Sequence, residues 1–494
     1  MHVHDILAAI PLARASATPL FRQLYLQLKE AILAGGIAPS ARLPATRELG
    51  RLLGVSRQTV LAAYEQLMAE GYLEGAVGKG TFVSASLPAA AAARGKASTD
   101  ETAPPLVRPL STRGEAMAAA MARVRHHDGP LRTFRISMPG LDLFPFEVWR
   151  KLEARHWRRR QVPLGYGGPA GHAPLRELLC AYLKASRGVH CVPGQIVITT
   201  GSQQALYLLA QLLLAPGEGV WLESPGYQGA LAPFAVAGAR ICPVPVDAEG
   251  MNVAYAAKHY PDARLAFATP SHQLPLGVTM SLARRLELLR WAQARRAWIV
   301  EDDYDSEYRY TGPPLASLQS LDRSGCVIYV GTLSKVLFPG LRLGYIVAPP
   351  ALAEPLARAK AVVDRHSPIV PQAVLADFIQ EGHFARHIRR TRDAYGERRI
   401  AMLEAIQARM QGALACGPSD AGLDLCVGVT NGLREAEAAA RAEEEGVDVR
   451  PLSYYTNPSA GPDCAVPPGL LLGFSAFTPA QIRAGIQQLE KAIC

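Results

Sequence analysis

Leu20, Leu24, Leu28 and Ile32 recur at every fourth position, so the chain opens with an amphipathic helix that Gly35-Gly36 ends. Thr46 to Leu53 predicts a short second helix with Leu49, Leu52 and Leu53 turned inward. Gly54-Val55 supplies a tight turn, and Ser56 is placed to cap a third helix running to about Glu70. Within that helix Val60, Tyr64 and Leu67 face the core, while Ser56, Arg57, Gln58 and Thr59 are polar and point outward. Tyr72-Leu73-Glu74 and Thr81-Phe82-Val83 then alternate as strands around the stretch Gly75 to Gly80. Two short helices joined at a glycine turn, followed by a glycine-tipped hairpin, predict a winged helix-turn-helix.

In that geometry the start of the third helix enters the major groove of double-stranded DNA. Arg57 can fork onto guanine O6 and N7, and Gln58 can pair with adenine. Arg47 on the preceding helix and Lys79 in the wing are placed for phosphate or minor-groove contact. Periodicity alone also fits a three-helix unit whose exposed arginine touches no nucleic acid.

The pattern breaks between Ala85 and Met121, where alanine, proline, serine and charge leave little to bury. Pro88, Pro104, Pro105 and Pro109 interrupt any helix the alanines propose, so residues 85–129 read as a flexible linker. From residue 130 to 494 strand-like and helix-like segments alternate, which predicts an α/β unit with a mostly parallel sheet wrapped by helices. Ile196 to Thr200 is a strand that runs into Gly201-Ser-Gln-Gln204 and a leucine-rich helix, the layout of a backbone anion cradle. Leu265–Ala268, Ala297–Val300 and Val327–Val330 read as three further buried strands, each followed by a polar cluster.

Composition narrows the classes. The 494 residues are 49% hydrophobic and 19% charged, ample for large cores and inconsistent with wholesale disorder. The formal charge of +9 permits an acidic partner such as DNA without requiring one. No basic and apolar leader opens the chain, and no apolar run reaches the roughly 18 to 20 residues of a membrane span. The eight cysteines stand singly, with no CxxC pair, which suits neither a disulfide framework nor a metal site. The expectation is a cytoplasmic protein.

Candidate chemistry gathers in two of the polar clusters, Glu301-Asp-Asp-Tyr-Asp-Ser-Glu307 and Gly331-Thr-Leu-Ser-Lys335 with Arg342 beyond. Carboxylates and a lysine at the C-terminal ends of neighbouring strands suit a ligand site at the sheet's edge. Thr332, Ser334 and Arg342 around the amine of Lys335 suit a phosphate-bearing aldehyde. The same residues also fit a solvated loop with an incidental lysine.

Both halves carry resemblances. Leu43-Pro-Ala-Thr-Arg47-Glu-Leu, Leu53-Gly-Val-Ser-Arg57-Gln-Thr-Val60, Glu70-Gly-Tyr-Leu73 and Gly78-Lys-Gly-Thr-Phe-Val83 resemble the winged helix of GntR-type transcriptional regulators, over residues 15–84. Residues 130–494 resemble a fold-type I aminotransferase that uses pyridoxal 5′-phosphate (PLP) and carries a small C-terminal α/β subdomain. That likeness implies that Lys335 forms the Schiff base, and that Thr332, Ser334 and Arg342 bind the phosphate with backbone help from Ser202 and Gln203. It further implies that Asp302 pairs with the pyridine nitrogen, Tyr304 bonds the ring's phenolic oxygen and Tyr227 stacks on the ring. Tyr166 would reach the phosphate of a partner subunit, or else is a packed core tyrosine.

Two departures from the aminotransferase pattern stand out. Leu274 occupies the position where an asparagine is expected, and Leu470-Leu-Leu-Gly-Phe474 lacks the usual arginine that clamps a substrate carboxylate. The combined architecture resembles the MocR/GabR family. That implies a homodimeric, PLP-dependent transcription factor on an operator with two half-sites, sensing an amine, an amino acid or PLP itself. Its enzymatic activity would be at most partial transamination. A working aminotransferase with an appended DNA-binding unit, and a DNA-binding protein whose second unit is only a dimerisation scaffold, are the other readings. Arg365 and Arg450 could bind an effector carboxylate or serve equally as surface ion pairs.

Overall fold

A computed structural model describes residues 3–76, 80–86, 108–120, 129–159, 165–312 and 315–494. The chain forms two compact units, Met1–Pro109 and Leu110–Cys494.

In the first unit the helices Leu20–Leu33, Thr46–Leu53 and Arg57–Ala69 pack around Leu24, Leu28, Ile32, Leu49, Val60, Tyr64 and Leu67, all buried. Leu52 and Leu53 are only partly buried. Gly50 takes the inward position beside Leu49, where a Cβ would sit 3.0 Å from the Val55 carbonyl oxygen. That close approach lets the next helix turn in, and Gly54 makes the corner with φ of 64°. The wing strands Leu73–Ala76 and Gly80–Val83 are antiparallel, with Leu73 opposite Val83. A third strand, Arg42–Leu43, pairs with Gly80–Val83, and a short helix, Val3–Ala8, precedes the bundle; neither has a periodic signature in the sequence.

The second unit begins earlier than the predicted boundary. Parts of the expected linker, 87–107 and 121–128, lie outside the described residues, but Thr112–Ala120 is a helix that packs against the helix Gln228–Val236. The reading of 85–129 as a continuous flexible linker is therefore corrected: the alanines beyond Pro109 do form a helix, because that proline stands before the helix and not within it.

The main sheet has eight strands in the spatial order Ile196–Thr199, Gly344–Val347, Val327–Thr332, Trp298–Asp303, Ala263–Ala268, Gly219–Ser224, Arg240–Asp247 and Gly250–Met251. The run from Val327–Thr332 to Arg240–Asp247 is parallel throughout. Antiparallel pairings flank it. Apolar clusters cover both faces, so these strands read as continuous apolar runs. A smaller four-stranded antiparallel sheet, with Asp424–Val429 and Gly469–Gly473 at its centre, packs with Pro479–Ile493 and the long helix His383–Arg409. The predicted fold class is the observed one.

Candidate functional site

Strand alternation sorts the acidic cluster. Trp298–Asp303 includes Glu301, Asp302 and Asp303 inside the strand, where the sequence suggested a loop after it. Successive side chains point to opposite faces. Glu301 accepts the amides of Leu318 and Gln319 at 2.7 and 2.8 Å. Asp303 accepts from Arg187 at 2.7 Å and from the Tyr329 hydroxyl at 2.6 Å. Those two carboxylates build the frame. Asp302, between them, faces a cavity of about 170 Å³.

That cavity is lined by Ser202, Gln203, Tyr227, Asp302, Tyr304, Thr332, Ser334, Lys335 and Arg342, together with Ser137, Thr269, Leu274 and Pro339. Every residue assigned above to the cofactor within one chain is therefore brought to one place. Tyr166 is not among them. It is 83% exposed, which excludes the core reading, and its ring lies beside His366 and 5.2 Å from the Arg365 guanidinium.

One end of the cavity is an anion cradle. The helix Ser202–Leu213 begins behind Gly201, whose φ of 102° belongs to glycine. A Cβ there would lie 3.2 Å from the Arg342 guanidinium, so the arginine and the helix N-terminus converge. Thr332 and Ser334 line the same cavity. Gln203 uses its side chain as well, donating to the Tyr227 hydroxyl oxygen at 3.0 Å and to the Gly229 carbonyl at 2.9 Å.

At the other end Asp302 is 4% exposed, and its Oδ1 is buried without a hydrogen-bond partner. Burial, reinforced by Asp303, Asp305 and Glu223, pushes its pKa up to about 7. An orphaned carboxylate oxygen of this kind needs a buried donor, and a protonated pyridine nitrogen is one. Lys335 Nζ donates to the Ser137 carbonyl oxygen at 2.9 Å, and burial lowers its pKa, which favours the neutral, nucleophilic amine. The donor set fits PLP.

A second group of residues gathers beside the cavity. His272 Nδ1 lies 2.9 Å from Asp305 Oδ2 and 3.1 Å from the Tyr304 hydroxyl. Burial opposes the charged imidazole, but Asp305 and Asp424 outweigh it and raise its pKa. Glu223 receives Thr269 Oγ1 at 2.7 Å, and burial pushes its carboxyl up to about 7. Asp424 accepts the Ser137 amide at 2.7 Å and the Ser137 hydroxyl at 3.1 Å. The available signals were the placement of Thr269-Pro-Ser-His272 after a buried strand and that of Asp305 within the acidic cluster.

In the first unit Arg47, Arg57 and Gln58 are exposed at the start of their helices. Ser56 is exposed and caps the helix as expected, whereas Thr59 is half-buried. Ser56 Oγ accepts the Thr59 amide at 3.1 Å, and the two hydroxyls lie 2.8 Å apart, so both side chains close the helix end. Lys79 lies outside the described residues. Among the described residues no group of His, Cys, Asp and Glu is arranged to hold a metal ion, and no helix is long and apolar enough to cross a membrane.

Comparison with known proteins addresses each unit and the whole chain. The family model of bacterial regulatory proteins, gntR family, matches residues 20–83, and that of aminotransferase class I and II matches residues 138–470. A probable rhizopine catabolism regulatory protein, MocR, of Rhizobium meliloti is 40% identical over 97% of this chain and 95% of its own. The HTH-type transcriptional regulator TauR of Rhodobacter capsulatus is 33% identical over 98% of both chains. Among solved structures, a kynurenine aminotransferase of Pyrococcus horikoshii superposes with a TM-score of 0.67 at 29% identity, covering 78% of this chain and 95% of that one.

Proposed function

Because the chain belongs to the MocR/GabR-type regulators of the gntR family, which join a DNA-binding winged helix to an aminotransferase-like sensor domain, we propose that it binds PLP at Lys335 and uses that site to sense an amine-bearing effector. The observation that carries this is the buried, partnerless Oδ1 of Asp302 in the same cavity as the Lys335 amine. Bound there, PLP supplies an aldehyde carbon that condenses reversibly with primary amines. Asp302 would keep the ring nitrogen protonated, Tyr227 would cover the ring face, and Tyr304 would donate to the phenolic oxygen. Thr332, Ser334, Arg342 and the amides of Ser202 and Gln203 would hold the phosphate.

Residues 15–84 act as the operator reader in this proposal, with Arg57 and Gln58 on bases and Arg47 and Lys79 on the backbone. Two copies of the chain assemble as a homodimer on two half-sites, with Tyr166 of each subunit completing the other's cofactor site. Its exposure supports that role, since an aromatic ring 83% exposed lacks cover within its own chain. An effector amine that takes the place of Lys335 would favour one arrangement of the dimer over another, and only such a differential interaction can shift an equilibrium.

The test is chemical. The purified protein should be yellow, and borohydride should fix the cofactor to the peptide that contains Lys335. A label on another lysine, or none, would refute the assignment. Sustained turnover of an amino acid with a keto acid would instead make the chain an aminotransferase with a DNA-binding unit attached.

A further inference from the structure

Ser137 joins two groups that the cofactor reading leaves apart. Its backbone sits in the left-handed region with φ of 59°, a conformation that needs support in a residue bearing a Cβ. Asp424 supplies it, taking the Ser137 amide on Oδ1 and the hydroxyl on Oδ2. The Ser137 carbonyl is thereby turned to the Lys335 amine. Asp424 is buried and meets the cavity through Ser137, a lining residue whose amide and hydroxyl it holds.

Beside Asp302, Tyr304 and Thr269 the lining includes one apolar wall. Leu274 lines the cavity and packs, with Leu276 and Ile136, against the cluster of Cys426, Leu452, Tyr455 and Leu471. Gly473 lies opposite Asp424 in the small sheet and Leu471 lies opposite Cys426, so the strand Gly469–Gly473 contributes no charge here. Among the described residues that line the cavity, Lys335 and Arg342 are the only cations. Arg342 belongs to the anion cradle, and Lys335 is the amine that a ligand would replace. Outside the lining, the charge of His272 is matched by Asp305, and the Arg450 guanidinium lies 5.4 Å from the Tyr454 ring.

From this arrangement we infer that the effector is a primary amine without a carboxylate, whose far end presents a hydroxyl or a second ammonium group to Asp424. The inference rests on the proposed function and names the ligand class of the same site. A ligand carboxylate in this position would be desolvated against Leu274 and near the Asp424 carboxylate, with no cation to meet it among the described lining residues beyond Lys335 and Arg342. A hydrogen-bond donor meets the opposite situation. A carboxylate offers about four lone-pair sites, and Ser137 occupies two of those on Asp424. One of the two is held by a rotatable hydroxyl that a ligand donor can replace. Burial raises the Asp424 carboxyl to about 6, while the Lys335 amine and the Ser137 hydrogen bonds favour its charged form.

The experiment uses the full-length, cofactor-loaded protein and four probes of matched length: 4-amino-1-butanol, 1,4-diaminobutane, butylamine and 4-aminobutanoate. Dissociation constants are read from the change in the visible absorption band. The amino alcohol and the diamine should bind at least tenfold more tightly than 4-aminobutanoate. Asp424→Asn should weaken those two by about tenfold more than it weakens butylamine, whose remaining response shows that the variant is folded and loaded. Equal or tighter binding of 4-aminobutanoate to the wild type overturns the inference. An unchanged ranking in Asp424→Asn, or no response to any probe from a protein that keeps its visible band, also overturns it. Failure of the wild type to acquire a band at all refutes the cofactor reading itself, and the two failures are thereby distinguished.

Discussion

Gly344 and Gly201 come so close that a Cβ on Gly344 would lie 2.9 Å from the Gly201 Cα. Gly344 opens the strand next to the one that leads into the Lys335 turn, and Gly201 heads the helix whose N-terminus faces Arg342. Both contacting atoms are backbone, so no side chain can swing away. Gly344→Ala should therefore displace the cradle and weaken PLP retention at least tenfold, measured by equilibrium dialysis of the visible band. Binding to operator DNA should be retained in the same preparation, because the winged helix is a separate unit. Normal retention would show that the cradle does not hold the cofactor.

Asp302 predicts a pH effect on the cofactor-free protein. In the folded protein burial pushes its pKa up to about 7, above the ordinary aspartate value of 3.8. A raised carboxyl contributes stability that is fully present below the unfolded value and lost as pH rises through the folded one. Glu223, Glu301 and Glu307, pushed up to about 7 by burial, act in the same direction. The cofactor-free protein should thus melt at a higher temperature at pH 5 than at pH 7.5. Asp302→Asn should narrow that gap by stabilising the protein at the higher pH. A gap of unchanged size would mean that Asp302 is not the strained carboxylate described above.

Arg57 and Lys79 should fail in different ways. Arg57→Ala should cost about 1–3 kcal/mol on the specific operator and relax discrimination at one base pair. Lys79→Ala should weaken binding to all DNA more evenly and make the salt dependence shallower by about one unit. Competition binding at several salt concentrations separates the two outcomes. Uniform loss in Arg57→Ala would exclude direct base readout.

What the sequence discloses follows the range of the interactions. The helix of Leu24, Leu28 and Ile32 and the strands of the parallel sheet are legible because burial follows a local period or an unbroken apolar run. Lys335, Asp302 and Arg342 stand out because their clusters end predicted strands. Ser137, His272 and Asp424 do not, since their meaning lies in contacts across long stretches of chain, as with Ser137 and Asp424, 287 residues apart. The left-handed conformation of Ser137 leaves no mark on composition. The helix Thr112–Ala120 was obscured by prolines that lie before it.

The central claim is that the Lys335 site controls what the winged helix does on DNA. Linkage requires effector and operator to alter each other's affinity by the same factor. The most direct measurement is operator affinity and footprint for wild type and Lys335→Ala, each with and without 4-amino-1-butanol. The wild type should change affinity or footprint when the amine is added. Lys335→Ala should bind the operator specifically, because its reading helix is untouched, and should not respond. A full response from Lys335→Ala would contradict the account.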